Sequence, residues 1–88
     1  MDLEKDFKNA IDRSSSIRQK PANEELLSLY ALYKQASEGD VTGERPGGFD
    51  FKGAAKYDAW AEMKGKDQQE CRLEYIDLVN RLVEKYNS

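Results

Sequence analysis

The sequence holds no histidine, one cysteine, one tryptophan and two prolines in 88 residues. Each shortage closes off a class of function. Without histidine, the commonest general base and the commonest protein metal ligand are both missing. The lone cysteine, Cys71, cannot form an intrachain disulfide, and no histidine is present to activate it as a nucleophile. Arg72 and a nearby helix start would lower its pKa a little, yet a small residue packed on a helix is the simpler reading. A single free thiol suits a reducing compartment, so the expected location is cytoplasmic. No stretch at the N-terminus has the apolar run of a signal peptide, and none approaches the length of a membrane span. No group of carboxylates has the spacing of a metal site, so no metal is expected.

Positive charge is also scarce. The formal net charge is −3, with 17 acidic and 14 basic residues. Nonspecific nucleic-acid binding needs a strongly basic surface, so nucleic acid is excluded as a partner. The balance shifts along the chain, however. Residues 1–42 carry eight acids and six bases, whereas residues 43–66 carry five bases and four acids. An anion would therefore be held by a few placed cations and not by bulk charge.

What is present is helical patterning. Leu3, Phe7, Ala10, Ile11 and Ile17 recur at helical spacing behind a cap at Asp2, predicting a first helix over 3–17. Lys20-Pro21 ends it, because the residue before proline avoids helical geometry. A second helix is predicted over 24–38, with Asn23 as N-cap, Glu24 and Glu25 favoured by the helix dipole, and Gly39 as the stop. Residues 39–52 contain four of the six glycines and read as one long loop. A third helix follows over 53–64, capped by Asp50 and closed by Gly65. Asp67 and Glu70 have capping-box spacing ahead of a fourth helix over 68–86. No period-two alternation suggests a strand. The expected architecture is all-α, a small bundle in which the long loop makes a crossover, and residues 1–88 form one domain.

The chemically informative set is Tyr30, Tyr33 and Lys34. Positions i, i+3 and i+4 share a helix face, so two phenols and an ammonium project together. Leu26 and Leu29 continue that face as an apolar lining. The third helix offers Lys52 and Lys56 at i, i+4, with Trp60 one turn on, and the fourth offers Tyr75. Lysines supply point charge for phosphate, tyrosines supply hydroxyls and stacking faces, and apolar neighbours cover alkyl chain. A ligand with a phosphorylated purine at one end and a fatty chain at the other would use all three.

These residues also fall in recognisable motifs. Leu29-Tyr30-Ala31-Leu32-Tyr33-Lys34-Gln35-Ala36, Gly39-Asp40, Glu44-Arg45-Pro46-Gly47 and Phe51-Lys52-Gly53-Ala54-Ala55-Lys56-Tyr57-Asp58-Ala59-Trp60 closely resemble the acyl-CoA-binding protein family. Lys20-Pro21-Ala22, Tyr75-Ile76 and Val79 extend the likeness to most of the chain. The resemblance implies a four-helix bundle of up-down-down-up topology that binds medium- to long-chain acyl-CoA reversibly. It implies an intracellular carrier and pool former, monomeric, without catalytic residues or a cofactor of its own. Acyl-CoA-using enzymes or membranes would be transient partners. By motif position, Lys34, Lys56 and the Tyr30 hydroxyl would grip the ligand's 3′-phosphate. Tyr33 would contact the adenine and Tyr75 would close the site beside it. Leu26, Leu27 and Ala55 would touch the acyl chain. Ser15 stands where the family often has a lysine, with Arg13 and Arg18 as candidate substitutes, and Tyr57 replaces a family tryptophan. Phe7, Trp60 and Tyr86 are expected to be structural. A second reading of the same fold is a signalling or interaction polypeptide with secondary ligand binding.

Overall fold

The computed structural model describes residues 2–87. Its elements are α1 (Leu3–Ser14), α2 (Asn23–Glu38), α3 (Phe51–Ala61) and α4 (Gln68–Asn87). Carboxylates fix three of the starts by accepting free amide hydrogens of the first turn. Asp2 accepts from the Lys5 amide at 3.1 Å, Asp50 from Gly53 at 2.9 Å and Asp67 from Glu70 at 3.2 Å. At α2 the cap is Ala22 and not Asn23. The Glu25 carboxylate reaches back to the Ala22 amide at 2.9 Å, the return half of a capping box.

Two helix ends differ from the expectation. α1 stops at Ser14, three residues short, because three successive serines turn their hydroxyls inward. Ser14, Ser15 and Ser16 donate to the carbonyls of Ile11, Asp12 and Arg13 at 2.6, 2.7 and 2.7 Å. Such local bonds offer the backbone an alternative to helix. α3 begins two residues early, at Phe51, and ends at Ala61. Beyond it, the amides of Met63 and Lys64 bond three residues back, a tighter turn that reaches Gly65 at φ 88°.

Contacts between elements fix the topology. Phe7 meets Tyr75, Arg13 bonds Asn80, and the Asn87 amide donates to Ser16, so α1 and α4 run parallel. Glu25 bonds Tyr86 while Gln68 donates to the Ala36 carbonyl, so α2 and α4 are antiparallel. Lys56 lies over Tyr30 and Lys34 over Trp60, so α2 and α3 are parallel. The bundle is therefore up-down-down-up, as the resemblance implied.

The core cluster is built from α1, α2 and α4 alone: Phe7 and Ala10, Leu32 and Ala36, then Cys71, Tyr75 and Val79. α3 contributes nothing to that cluster and packs on α2. It is tied instead to the crossover loop. The Trp60 indole donates to the Gly39 carbonyl at 2.8 Å, and the Tyr57 hydroxyl donates to Gly43 at 3.0 Å. Arg45 grips Asp58 with two bonds of 2.8 and 3.0 Å. Asp40 closes the loop, accepting from the buried Gln35 amide and from the Gly65 backbone, both at 2.8 Å. Those two donors, the Gly65 amide foremost, hold the Asp40 carboxyl below its ordinary value.

Candidate functional site

Helical spacing on α2 does place Tyr30, Tyr33 and Lys34 on one side, and α3 lies alongside. The two helices alternate cation and ring. The Lys56 ammonium sits 5.4 Å from the Tyr30 ring centroid, and one turn further Lys34 sits 4.8 Å from that of Trp60. Each pair contributes about 0.5–1 kcal/mol at such exposure. The ladder works only because the helices are parallel and both use a four-residue step.

Two cavities flank this ladder. The first, of about 280 Å³, is lined by Ile11, Ser14, Leu29, Tyr30, Tyr33 and Tyr75. It is an aromatic cleft: Tyr33 and Tyr75 have centroids 6.3 Å apart, and Phe7 lies behind both, edge-on to Tyr75 at 5.2 Å. Tyr33 is 39 % exposed and presents a ring for stacking, whereas Tyr75 is 4 % exposed. Tyr75 thus forms the floor of the cleft and stands beneath the opening. Burial raises its phenol pKa, so it stays a neutral hydroxyl.

The second cavity, of about 410 Å³, runs between the starts of α2 and α3. Leu26, Leu27, Ala55 and Phe51 make it apolar, and Lys20, Lys52 and Lys56 give it a cationic rim. Among the described residues none of these three lysines is in an ion pair. Tyr30 lines the first cavity and Lys56 the second, so the cation–π pair between them is where the two adjoin.

Tyr30, Tyr33, Tyr75 and Lys56, with Leu26, Leu27 and Ala55, therefore line two neighbouring hollows. Two expected residues stand apart. Lys34 lines neither hollow; its ammonium is held by Glu38, which raises its pKa, and lies over Trp60. Ser15 is exposed and spends its hydroxyl on the Asp12 carbonyl, while its neighbour Ser14 faces the cleft. Arg13 does not replace the missing lysine, because its guanidinium bonds Asn80 on α4. The Arg18 amide bonds Asn87. Sequence reasoning missed Lys20, which lies outside any helix, and Ile11, Ser14 and Phe51. Helical spacing around Phe7 could have shown Ile11 and Ser14, which share its side of α1 at i+4 and i+7. Cys71 is fully buried, and desolvation pushes its thiol pKa up. The small lowering expected from Arg72 and the helix start does not appear; the cation that lowers it is Lys66, and burial outweighs it.

Comparison with known proteins agrees with this geometry. The family model described as Acyl CoA binding protein matches residues 4–79. The Acyl-CoA-binding protein of Saccharomyces cerevisiae is 52 % identical over 69 residues, 78 % of this chain and 79 % of that one. A crystal structure of Oryza sativa Acyl-CoA-Binding Protein 2 superposes with a TM-score of 0.91 at 37 % identity, covering 98 % and 96 % of the two chains. Enoyl-CoA delta isomerase 2 of Rattus norvegicus is 44 % identical over 79 residues, which are 90 % of this chain but 20 % of that one. A segment of this kind thus also occurs inside a longer protein named as an enzyme. The names of these relatives favour ligand binding over the signalling reading. Four helices without a strand among the described residues, the two neighbouring hollows and the match over 4–79 lead to one conclusion: the chain belongs to the acyl-CoA-binding protein family.

Proposed function

We propose that the cleft and groove form one acyl-CoA site, with the nucleotide end over Tyr30 and Tyr33 and the acyl chain in the Leu26–Leu27–Ala55 groove. The observation that carries this reading is the junction at Tyr30 and Lys56. There an aromatic cleft lies beside an apolar groove with a cationic rim. Lys56 at the junction is placed to neutralise phosphate, and Tyr33 offers an exposed ring to the adenine. Lys34 joins when a phosphate outcompetes Glu38. Each methylene withdrawn from water contributes about 0.8 kcal/mol. The chain does no bond chemistry; it is a monomeric carrier and reservoir of acyl-CoA in the cytoplasm. Acyl-CoA-using enzymes and membranes are its transient partners, the latter favoured by Phe51, 74 % exposed where it lines the groove with its lysines, and by Phe49, 94 % exposed two residues earlier.

The test is calorimetric titration with acyl-CoAs from C8 to C20, with CoA and free fatty acid as controls. Acyl-CoA should bind far more tightly than either control. Lys34→Ala and Lys56→Ala should each weaken binding roughly tenfold or more, the scale of a charge-assisted contact of about 1.5–3 kcal/mol. Unchanged affinity in both variants refutes the placement of the head group.

A further inference from the structure

A third hollow lies on the other flank of the α2–α3 contact. It measures about 390 Å³, close to the groove's own 410 Å³. Its floor is made by Ala31, Ala59 and Met63, and it shares two wall residues with the groove, Leu27 and Ala55. Only that pair stands between the two spaces. Ala55 has no side chain to withdraw beyond a methyl, so Leu27 is the removable part of the partition.

The rims of the two spaces have opposite charge. The groove is edged by Lys20, Lys52 and Lys56, and the third hollow by Glu24, Asp58 and Glu62. Asp58 is engaged by Arg45, while Glu24 and Glu62 have no cationic partner among the described residues. An anionic head group is attracted to the first rim and repelled by the second. Of the parts of an acyl-CoA, the one that this rim does not repel is the uncharged methyl end of the alkyl chain, which Leu27, Ala31, Ala55, Ala59 and Met63 can cover. Met63 adds a flexible, polarisable wall that adapts to such an end.

We propose that Leu27 is the stop that sets the acyl-chain length, and that the third hollow, open to solvent but separated from the groove by Leu27, is a reserve for the methyl end of longer chains. This rests on the placement of the acyl chain in the groove given above. Affinity should rise roughly fourfold for each methylene that finds apolar cover, and stop rising at the carbon that meets Leu27.

The experiment is a titration of the full chain with saturated acyl-CoAs from C8 to C24, locating the carbon number at which affinity ceases to climb. Leu27→Ala should move that break at least two carbons longer. Leu27→Val should move it the same way by less, and serves if the alanine variant fails to give a helical circular-dichroism spectrum. Ala59→Leu, which fills only the third hollow, should leave the break of the unaltered protein in place and should cancel the shift in the double variant with Leu27→Ala. A break unmoved by both Leu27 substitutions overturns the proposal. So does a shift that Ala59→Leu fails to cancel, or a break shortened by Ala59→Leu alone. If C8-CoA still binds in those cases, the length stop has failed and the site stands. Absence of acyl-CoA binding by the unaltered protein would instead remove the site itself.

Discussion

Glu38 gives the sharpest prediction, because it holds the Lys34 ammonium that the proposed head-group site would recruit. The Lys34 ammonium is paired with Glu38 and lies over Trp60, and the pairing raises its pKa. A phosphate that recruits Lys34 must break or share that pair and then sit near a carboxylate of like charge. The side chains are 22 % and 51 % exposed, so water screens the pair and its own strength is about 0.2–1 kcal/mol. Two unit charges about 4 Å apart in bulk water repel by about 1 kcal/mol, and physiological salt reduces this further at longer range. Removing the carboxylate should therefore gain about 0.5–1.5 kcal/mol of binding. Glu38→Gln keeps the shape and deletes the charge. Calorimetry at low salt should show acyl-CoA binding tightened by roughly twofold to tenfold, and the gain should shrink as salt is added. Weaker binding by the Glu38→Gln variant, or a gain indifferent to salt, would refute the competition and make Glu38 a support for Lys34 instead.

Three further outcomes follow from the geometry. Trp60→Phe removes the indole bond to the Gly39 carbonyl and should lower stability by about 0.5–1.5 kcal/mol in urea unfolding, with helix content retained. The Glu25 carboxyl is held down from 4.5 to about 2, first by the Tyr86 hydroxyl and then by the Ala22 amide and Lys85. Its contribution is present above the unfolded value and lost as pH falls from about 4.5 toward 2, so Glu25→Gln should flatten the fall in melting temperature across that window. An equally steep fall in the variant would show that other groups carry it. The Cys71 thiol is buried and its pKa raised, so it should resist a thiol-specific reagent in the native state and react at once in denaturant. Stoichiometric labelling of the folded protein would contradict its burial.

The bundle is legible in the sequence where apolar spacing and end signals agree. α2 and α4 lie within a residue of the expected bounds, because Gly39 and Asp67 punctuate them strongly. Apolar spacing carries α1 too far because Ile17 continues the period, while the fate of three serine hydroxyls is not visible in a pattern of apolar residues. At the site, Tyr30 and Tyr33 lie on one side of α2 as their spacing implied, and Lys56 of α3 lies over the Tyr30 ring. Lys34 shares their helix face, yet a carboxylate one turn away captures it. A surface lysine's partner is chosen by rotamers and water, which periodicity does not encode. Tyr75 is a floor where a closing wall was expected, since a phenol on the buried stripe of α4 is drawn under Phe7.

The absence of α3 from the hydrophobic cluster has a kinetic meaning. To part from its neighbour, that helix must expose Ala54 and Trp60 and break two cation–ring pairs and a few loop bonds, but it need not disturb the cluster shared by the other three helices. Such a local opening costs less than global unfolding, so amides of 51–61 should exchange with solvent ahead of those in α2 and α4. Apparent affinity then scales with the fraction of time the wall is shut, and a loaded chain, bridging both helices, would rigidify the very element that admitted it.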